Sequence, residues 1–138
     1  MEWIELSNGV KMPIIGYGTL QISSNLAKRK VIEALDEGYR LIDTAASYFN
    51  ETGIGEAIKE SHIPRSELFI TTKVWVQDSG YENTIKAFNQ SLTNLGLDYL
   101  DLYLIHQPYG NYYGSWKAME ELYRQGKVRA IGVCNFSA

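Results

Sequence analysis

The sequence predicts an α/β fold with parallel strands, and three observations carry that expectation. From about residue 26 onward, helical apolar patterns alternate with short apolar runs, and Gly38, Gly96 and Gly126 each stand between a helix and the strand after it. The polar residues that end those runs, Asp43, Lys73, His106 and Cys134, recur every 28 to 33 residues. That rhythm suits βαβ units, in which parallel strands are joined by right-handed crossovers. No Pro-, Gly- or Ser-rich linker and no low-complexity stretch interrupts it, so residues 1–138 read as a single α/β unit with no second domain.

The elements follow in order. In LSNGVKMPIIGYGT (6–19), apolar residues alternate around Asn8-Gly9, a pair that favours a type I′ hairpin turn. The preferred reading is a small N-terminal hairpin with IIGYGT as the first sheet strand; the alternative makes the whole segment an edge hairpin. Val31 and Leu35 mark a helix that stops at Gly38, and YRLIDTA (39–45) is the next strand. Ile54, Ala57 and Ile58 mark a short second helix. LFITTKVW (68–75), rich in β-branched and aromatic residues, reads as a strand. Ile85, Phe88, Leu92 and Leu95 then line one helix face, with Gly96 just past its end. LDLYLIH (100–106) is a strand, followed by a helix with Trp116, Met119, Leu122 and Tyr123 turned inward. Gly126 and the strand VRAIGVCN (128–135) close the series.

Composition narrows the function classes. With 138 residues, 45% hydrophobic and 21% charged, the chain is too apolar to be a disordered tail. A net charge of -3 argues against a nucleic-acid partner or an anionic membrane surface. No apolar run approaches the roughly 18–20 residues needed to cross a bilayer, and no secretory leader opens the chain. One cysteine forbids an intrachain disulfide, which suits a cytoplasmic location. The N-x-Ser/Thr sequons at Asn50, Asn89 and Asn135 then carry no glycosylation signal.

In parallel α/β sheets, ligands sit at the carboxyl ends of the strands. Asp43, Lys73 and His106 all lie there, and a fourth strand runs into Asn135. Each has a plain structural reading: Asp43 as a helix cap, Lys73 snorkelling, His106 bonded to a backbone carbonyl. Three at the same end of successive strands are harder to explain that way. Tyr48 follows Asp43 by five residues, although a chain with 10 Tyr offers many surface phenols. A phenol, with a pKa near about 10, is a poor acid unless an ammonium stabilises its phenolate and an imidazole assists. The ammonium in turn needs a carboxylate in a partly dry site. Asp43, Tyr48, Lys73 and His106 supply these parts. Such a group can protonate the oxyanion formed when a hydride, supplied by a cofactor, attacks a carbonyl.

Other signals do not hold up. Tyr113-x-x-x-Lys117 and Tyr123-x-x-x-Lys127 match a short-chain dehydrogenase spacing but lack its glycine-rich turn. GYGTLQ lacks the third glycine of a dinucleotide fingerprint. His62, His106 and Cys134 form no metal-ligand cluster, so no metal is expected. His62 reads as a solvated loop residue, and Tyr103 and Trp116 read as core.

With GYGT (16–19), LIDTAASY (41–48), TTKVW (71–75), LIHQP (104–108) and GVCNF (132–136) in that order, the chain resembles the aldo-keto reductases over residues 4–138. The resemblance implies part of a (β/α)8 TIM barrel, its first five strands and four helices preceded by an N-terminal β-hairpin. It also implies NADPH-dependent reduction of aldehydes and ketones to alcohols. The catalytic roles fall on Asp43, Tyr48 as proton donor, Lys73 and His106. Gly18, Thr19, Asp43, Cys134 and Asn135 are placed beside the cofactor, and Tyr48, Trp75 and His106 beside a small carbonyl substrate. Within the family the chain looks most like bacterial reductases of small aldehydes and dicarbonyls. At Cys134 the family usually has Ser, a stronger hydrogen-bond donor. A nucleophilic role for Cys134 is disfavoured, because no basic residue adjoins it.

A complete (β/α)8 barrel takes about 250 residues, so the chain reads as the N-terminal half of one. Two open sheet edges and an apolar inner face then call for a homodimer or a complementing fragment. NADPH binding and turnover by the isolated chain are expected to be weak. Two other readings stand beside this one: a non-catalytic assembly or binding module, as in the potassium-channel β subunits of the same family, and a Schiff-base aldolase acting through Lys73.

Overall fold

A computed structural model of the chain describes residues 1–137. β1 (Trp3–Glu5) and β2 (Lys11–Pro13) pair antiparallel with Ile4 opposite Met12. They form the expected hairpin, separate from the main sheet. Its turn is not type I′. Only Gly9 has a positive φ, 86°, whereas type I′ requires it of both central residues. The Leu6 N–H donates to the Val10 carbonyl at 2.8 Å, leaving a three-residue loop, Ser7-Asn8-Gly9. Asn8 is held by its side chain instead: Oδ1 accepts from the Val10 N–H at 3.2 Å, and Nδ2 donates to the Arg129 carbonyl at 2.9 Å.

The main sheet is all parallel and sequential: β3 (Gly16–Gly18), β4 (Leu41–Asp43), β5 (Phe69–Val74), β6 (Leu100–Ile105) and β7 (Val128–Val133). Four helices alternate with the strands, α1 (Ser24–Asp36), α2 (Glu51–Ser61), α3 (Tyr81–Leu95) and α4 (Tyr112–Arg124). Their apolar stripes share one core with Ile42, Ile70, Val74, Tyr103 and Ile105 of the strands, so the helices cover one sheet face. Phe88 of α3 meets Tyr103 edge-to-face at 5.3 Å, a pairing that contributes about 1 kcal/mol beyond burial. Helices α2 and α3 approach so closely that a Cβ on Gly55 would meet the Leu95 carbonyl oxygen at 2.5 Å.

One helix face differs from expectation. In α4, Ser115, Ala118, Met119 and Leu122 are the buried residues, at positions i, i+3, i+4 and i+7. Tyr123 lies next around the helix, is 42% exposed, and accepts a bond from Asn8 at 3.2 Å. Trp116 is half-buried against the core.

Leu41, Phe69, Leu102 and Ala130 form a second cluster with Leu6, Val10, Met12 and Leu104. The hairpin therefore closes the amino-terminal end of the helix-free face. The outermost strands, β3 and β7, pair on one side only among the described residues. Ile14 and Ile15 beside β3, and Val133 of β7, are exposed. No helix among the described residues is long and apolar enough to cross a membrane.

Candidate active site

The carboxyl ends of β4, β5 and β6 bring Asp43, Lys73 and His106 to one side of the sheet. Asp43 pairs with Thr71 in register, which sets Lys73 one step beyond it on the same face. The Lys73 side chain is only 8% exposed. Its Nζ donates to Asp43 Oδ1 at 2.9 Å, to Oδ2 at 3.0 Å and to the Thr44 carbonyl at 2.9 Å. A buried ammonium persists only with such partners, and losing one costs several kcal/mol.

Tyr48 sits in a 3₁₀ turn over Ala46–Tyr48, which Phe49 ends in the left-handed region at φ 56°. Its hydroxyl lies 3.5 Å from Lys73 Nζ. The His106 ring stands edge-on to Tyr48, with centroids 5.6 Å apart, and to Trp75 at 5.1 Å. Ser47 Oγ lies 3.4 Å from His106 Nδ1, as donor or acceptor according to the tautomer. Burial and then the neighbouring Lys73 charge lower the His106 pKa below 6.5, against a smaller opposing effect of Asp43. The imidazole is therefore neutral at pH 7.

β7 leads into the remaining residues. The Cys134 N–H donates to the Ile105 carbonyl at 2.8 Å, and Asn135, at φ 62°, donates from Nδ2 to the His106 carbonyl at 2.7 Å. Burial, and to a lesser degree Asp43, push the Cys134 thiol up while Lys73 opposes them. Gly18 is exposed, and a Cβ built on it would meet nothing within 4 Å. Thr19, beside it, is fully buried. Both its N–H (3.1 Å) and its hydroxyl (3.0 Å) are bound to the Asp43 carbonyl. It braces the site from behind and leaves Gly18 as the accessible surface.

Sequence reasoning missed four residues here. Thr44 and Ser47 stood inside a quoted motif without a role, and Asn50 was noted only as a sequon. Glu51 is buried and accepts from Thr72 Oγ1 at 2.7 Å, directly beside Lys73 in the chain. His62 is an exposed helix cap, and no group of three His, Cys, Asp or Glu among the described residues could hold a metal.

Chemically, this is a partly dry cluster in which a carboxylate holds an ammonium beneath a phenol, with a neutral imidazole and an indole alongside. A parallel βα sheet with acid–base groups converging at its carboxyl ends defines a barrel-type enzyme class. The chain belongs to the aldo/keto reductase family, whose sequence model matches residues 9–138. It is 55% identical over 137 residues to the glyoxal reductase of Bacillus subtilis, covering 98% of this chain and 50% of that protein. A crystal structure of an aldo/keto reductase from Brucella melitensis superposes with a TM-score of 0.97 at 48% identity, over 99% of this chain and 55% of that one. A Bombyx mori aldo-keto reductase in complex with NADP superposes at 0.93 with 36% identity, over 98% of this chain and 50% of that one. The chain thus spans about half the length of the relatives it matches. Family and fold accord with the partial barrel inferred from the motifs.

Proposed function

We propose that this chain carries the proton-transfer half of an NADPH-dependent carbonyl reductase acting on small aldehydes and dicarbonyls. The observation that carries the reading is the buried Lys73 ammonium, bound to both Asp43 oxygens and reaching the Tyr48 hydroxyl. Similarity to a glyoxal reductase and to an NADP-bound relative supports the substrate class and the cofactor.

The residues fit a nicotinamide group. Open space over Gly18 leaves room for a flat ring, and the exposed Asn135 keeps its Oδ1 and a second N–H for a carboxamide after bonding His106. When bound, the nicotinamide supplies a hydride. The chain's own residues do the rest. A substrate carbonyl oxygen lies against Tyr48, between His106 and Trp75. As the carbonyl carbon gains a hydride, the oxygen takes the Tyr48 proton. Lys73 stabilises the resulting phenolate, Asp43 keeps Lys73 charged, and solvent reprotonates Tyr48. The neutral His106 hydrogen-bonds the oxygen without adding charge. Cys134 sits beside Asn135, where it offers only a weak donor.

We also propose that the open edges of β3 and β7 are closed by further parallel strands, from a second copy of this chain or from a complementing fragment. Sedimentation of the chain alone should give a mass above the 15.7 kDa of one copy; a monomer over the whole concentration range would count against self-pairing. NADPH affinity of the isolated chain should be weak, as judged by fluorescence titration. At high protein concentration, glyoxal-dependent NADPH oxidation should be slow but measurable and should vanish in Tyr48→Phe. A rate unchanged by that substitution would reject the reading.

A further inference from the structure

Asn50 stands at the N-cap of α2, a position where an Asn side chain ordinarily bonds its own helix. Here it makes no such bond. It is fully buried, and its side-chain bonds all run to other loops. Oδ1 accepts from Thr44 Oγ1 at 2.7 Å, and Nδ2 donates to the Thr19 carbonyl at 2.9 Å and the Ile22 carbonyl at 3.0 Å. These contacts close a ring. Lys73 binds the carboxylate of Asp43 and the carbonyl of Thr44; the Thr44 hydroxyl binds Asn50; Asn50 binds Thr19; and Thr19 binds the carbonyl of Asp43.

We infer that Asn50 is a positioning residue that locks the Tyr48 turn and the Lys73 ammonium to the Gly18–Thr19 loop, so that the proton-delivering groups and the nicotinamide surface are set as one unit. The link to the nicotinamide rests on the function proposed above; the link to Lys73 does not. Three features support the assignment. The chain between Thr44 and Asn50 is the segment that bears Tyr48, and Asn50 ties both its ends. Phe49, 85% exposed, adopts the left-handed conformation without any packing gain. Such a conformation costs about 1–3 kcal/mol and persists where neighbours over-determine it, as the buried Asn50 does. Glu51 adds a second brace through Thr72, next to Lys73.

The test reads Lys73 directly in the full chain. Trace acetylation, followed by peptide mass analysis, gives the labelling of Lys73 relative to the exposed Lys117 as a function of pH, well below the melting temperature. In the wild type Lys73 should label far more slowly than Lys117. Asn50→Ala should raise the ratio about fivefold, the equivalent of one lost hydrogen bond, and alter its pH profile. Thr44→Val, which removes only the hydroxyl donor, should move it the same way, and Thr44→Ser should behave as wild type. Thr44→Val also serves if Asn50→Ala fails to fold. Lowered melting temperatures with an unchanged Lys73 ratio in every folded variant would overturn the inference and leave Asn50 a stability residue. For the second arm, Asn50→Asp, which keeps the acceptor and loses both donors, should weaken NADPH binding about threefold or more. If the wild type binds no NADPH at all, the proposed function fails while the Lys73 ratio still decides the role of Asn50.

Discussion

The two ends of the sheet each hold a carboxylate paired with a cation or two, and they use it differently. At the amino ends, Asp101 is completely buried. Its Oδ2 accepts from the Ile70 N–H at 2.9 Å and from Arg65 at 2.7 Å, and its Oδ1 accepts from Arg129 at 2.9 Å. Arg65 also donates to the Leu68 and Tyr99 carbonyls and stacks over the Tyr99 ring at 4.0 Å. Guanidinium forks of this kind are rigid and always charged. They tie β5, β6 and β7 together beneath the hairpin. At the carboxyl ends, Asp43 remains 37% exposed on its side chain, and its partner is a lysine, a compact point charge with a phenol within reach. One end spends its charges on holding strands; the other keeps a cation and a proton donor beside open space. In barrels of this type, stability resides at the amino-terminal face and chemistry at the carboxyl-terminal face.

That contrast can be broken by substitution. Asp101→Ala, which strands two guanidinium groups and the Ile70 amide, should cost about 3 kcal/mol in denaturant unfolding, the low end for a buried pair because both arginines are partly exposed. Labelling of Lys73 in the folded fraction should not change. A smaller effect is expected of Asn8→Ala, which frees the Arg129 carbonyl on the β7 edge and should lower stability by about 1 kcal/mol. The site groups should again be undisturbed. If either substitution altered Lys73 reactivity below the unfolding transition, the division between the two ends would fail.

The smallest effect expected concerns His106, and its sign follows from the direction of the pKa shift. The folded-state pKa is lowered, so between that value and 6.5 the unfolded chain binds more protons than the folded one. The stability contribution is complete above pH 6.5 and declines as the pH falls below it. Urea titrations of wild type and His106→Asn should therefore converge or cross only in acid, with the wild type losing more stability there.

Much of this was legible because the reporting residues break a pattern. A Lys or a His in an apolar strand stands out; the alternation of helical and apolar runs placed the last four sheet strands in order, and the preferred reading of the hairpin segment supplied the first. What escaped depends on the direction a side chain takes once loops meet. Asn8-Gly9 satisfies the type I′ rule locally, but the Asn8 amide is claimed by Arg129, far along the chain. Tyr123 adjoins Leu122 in sequence, yet one step around the helix carries it out of the core. Thr19 lies in a motif next to the site, and only the folded loop turns its hydroxyl towards the Asp43 carbonyl. Asn50 read only as a sequon, since nothing local reveals that Thr19, Ile22 and Thr44 converge on it.

The proposed delivery of a proton by Tyr48, set by Lys73 and Asp43, is the step on which the function rests. It is tested most directly by glyoxal-dependent NADPH oxidation measured side by side for the wild type and Tyr48→Phe at equal, high concentration, with melting curves for both. The slow wild-type rate should fall by about 100-fold, or to the protein-free background, with the melting temperature unmoved. Equal rates in two equally folded proteins would contradict it.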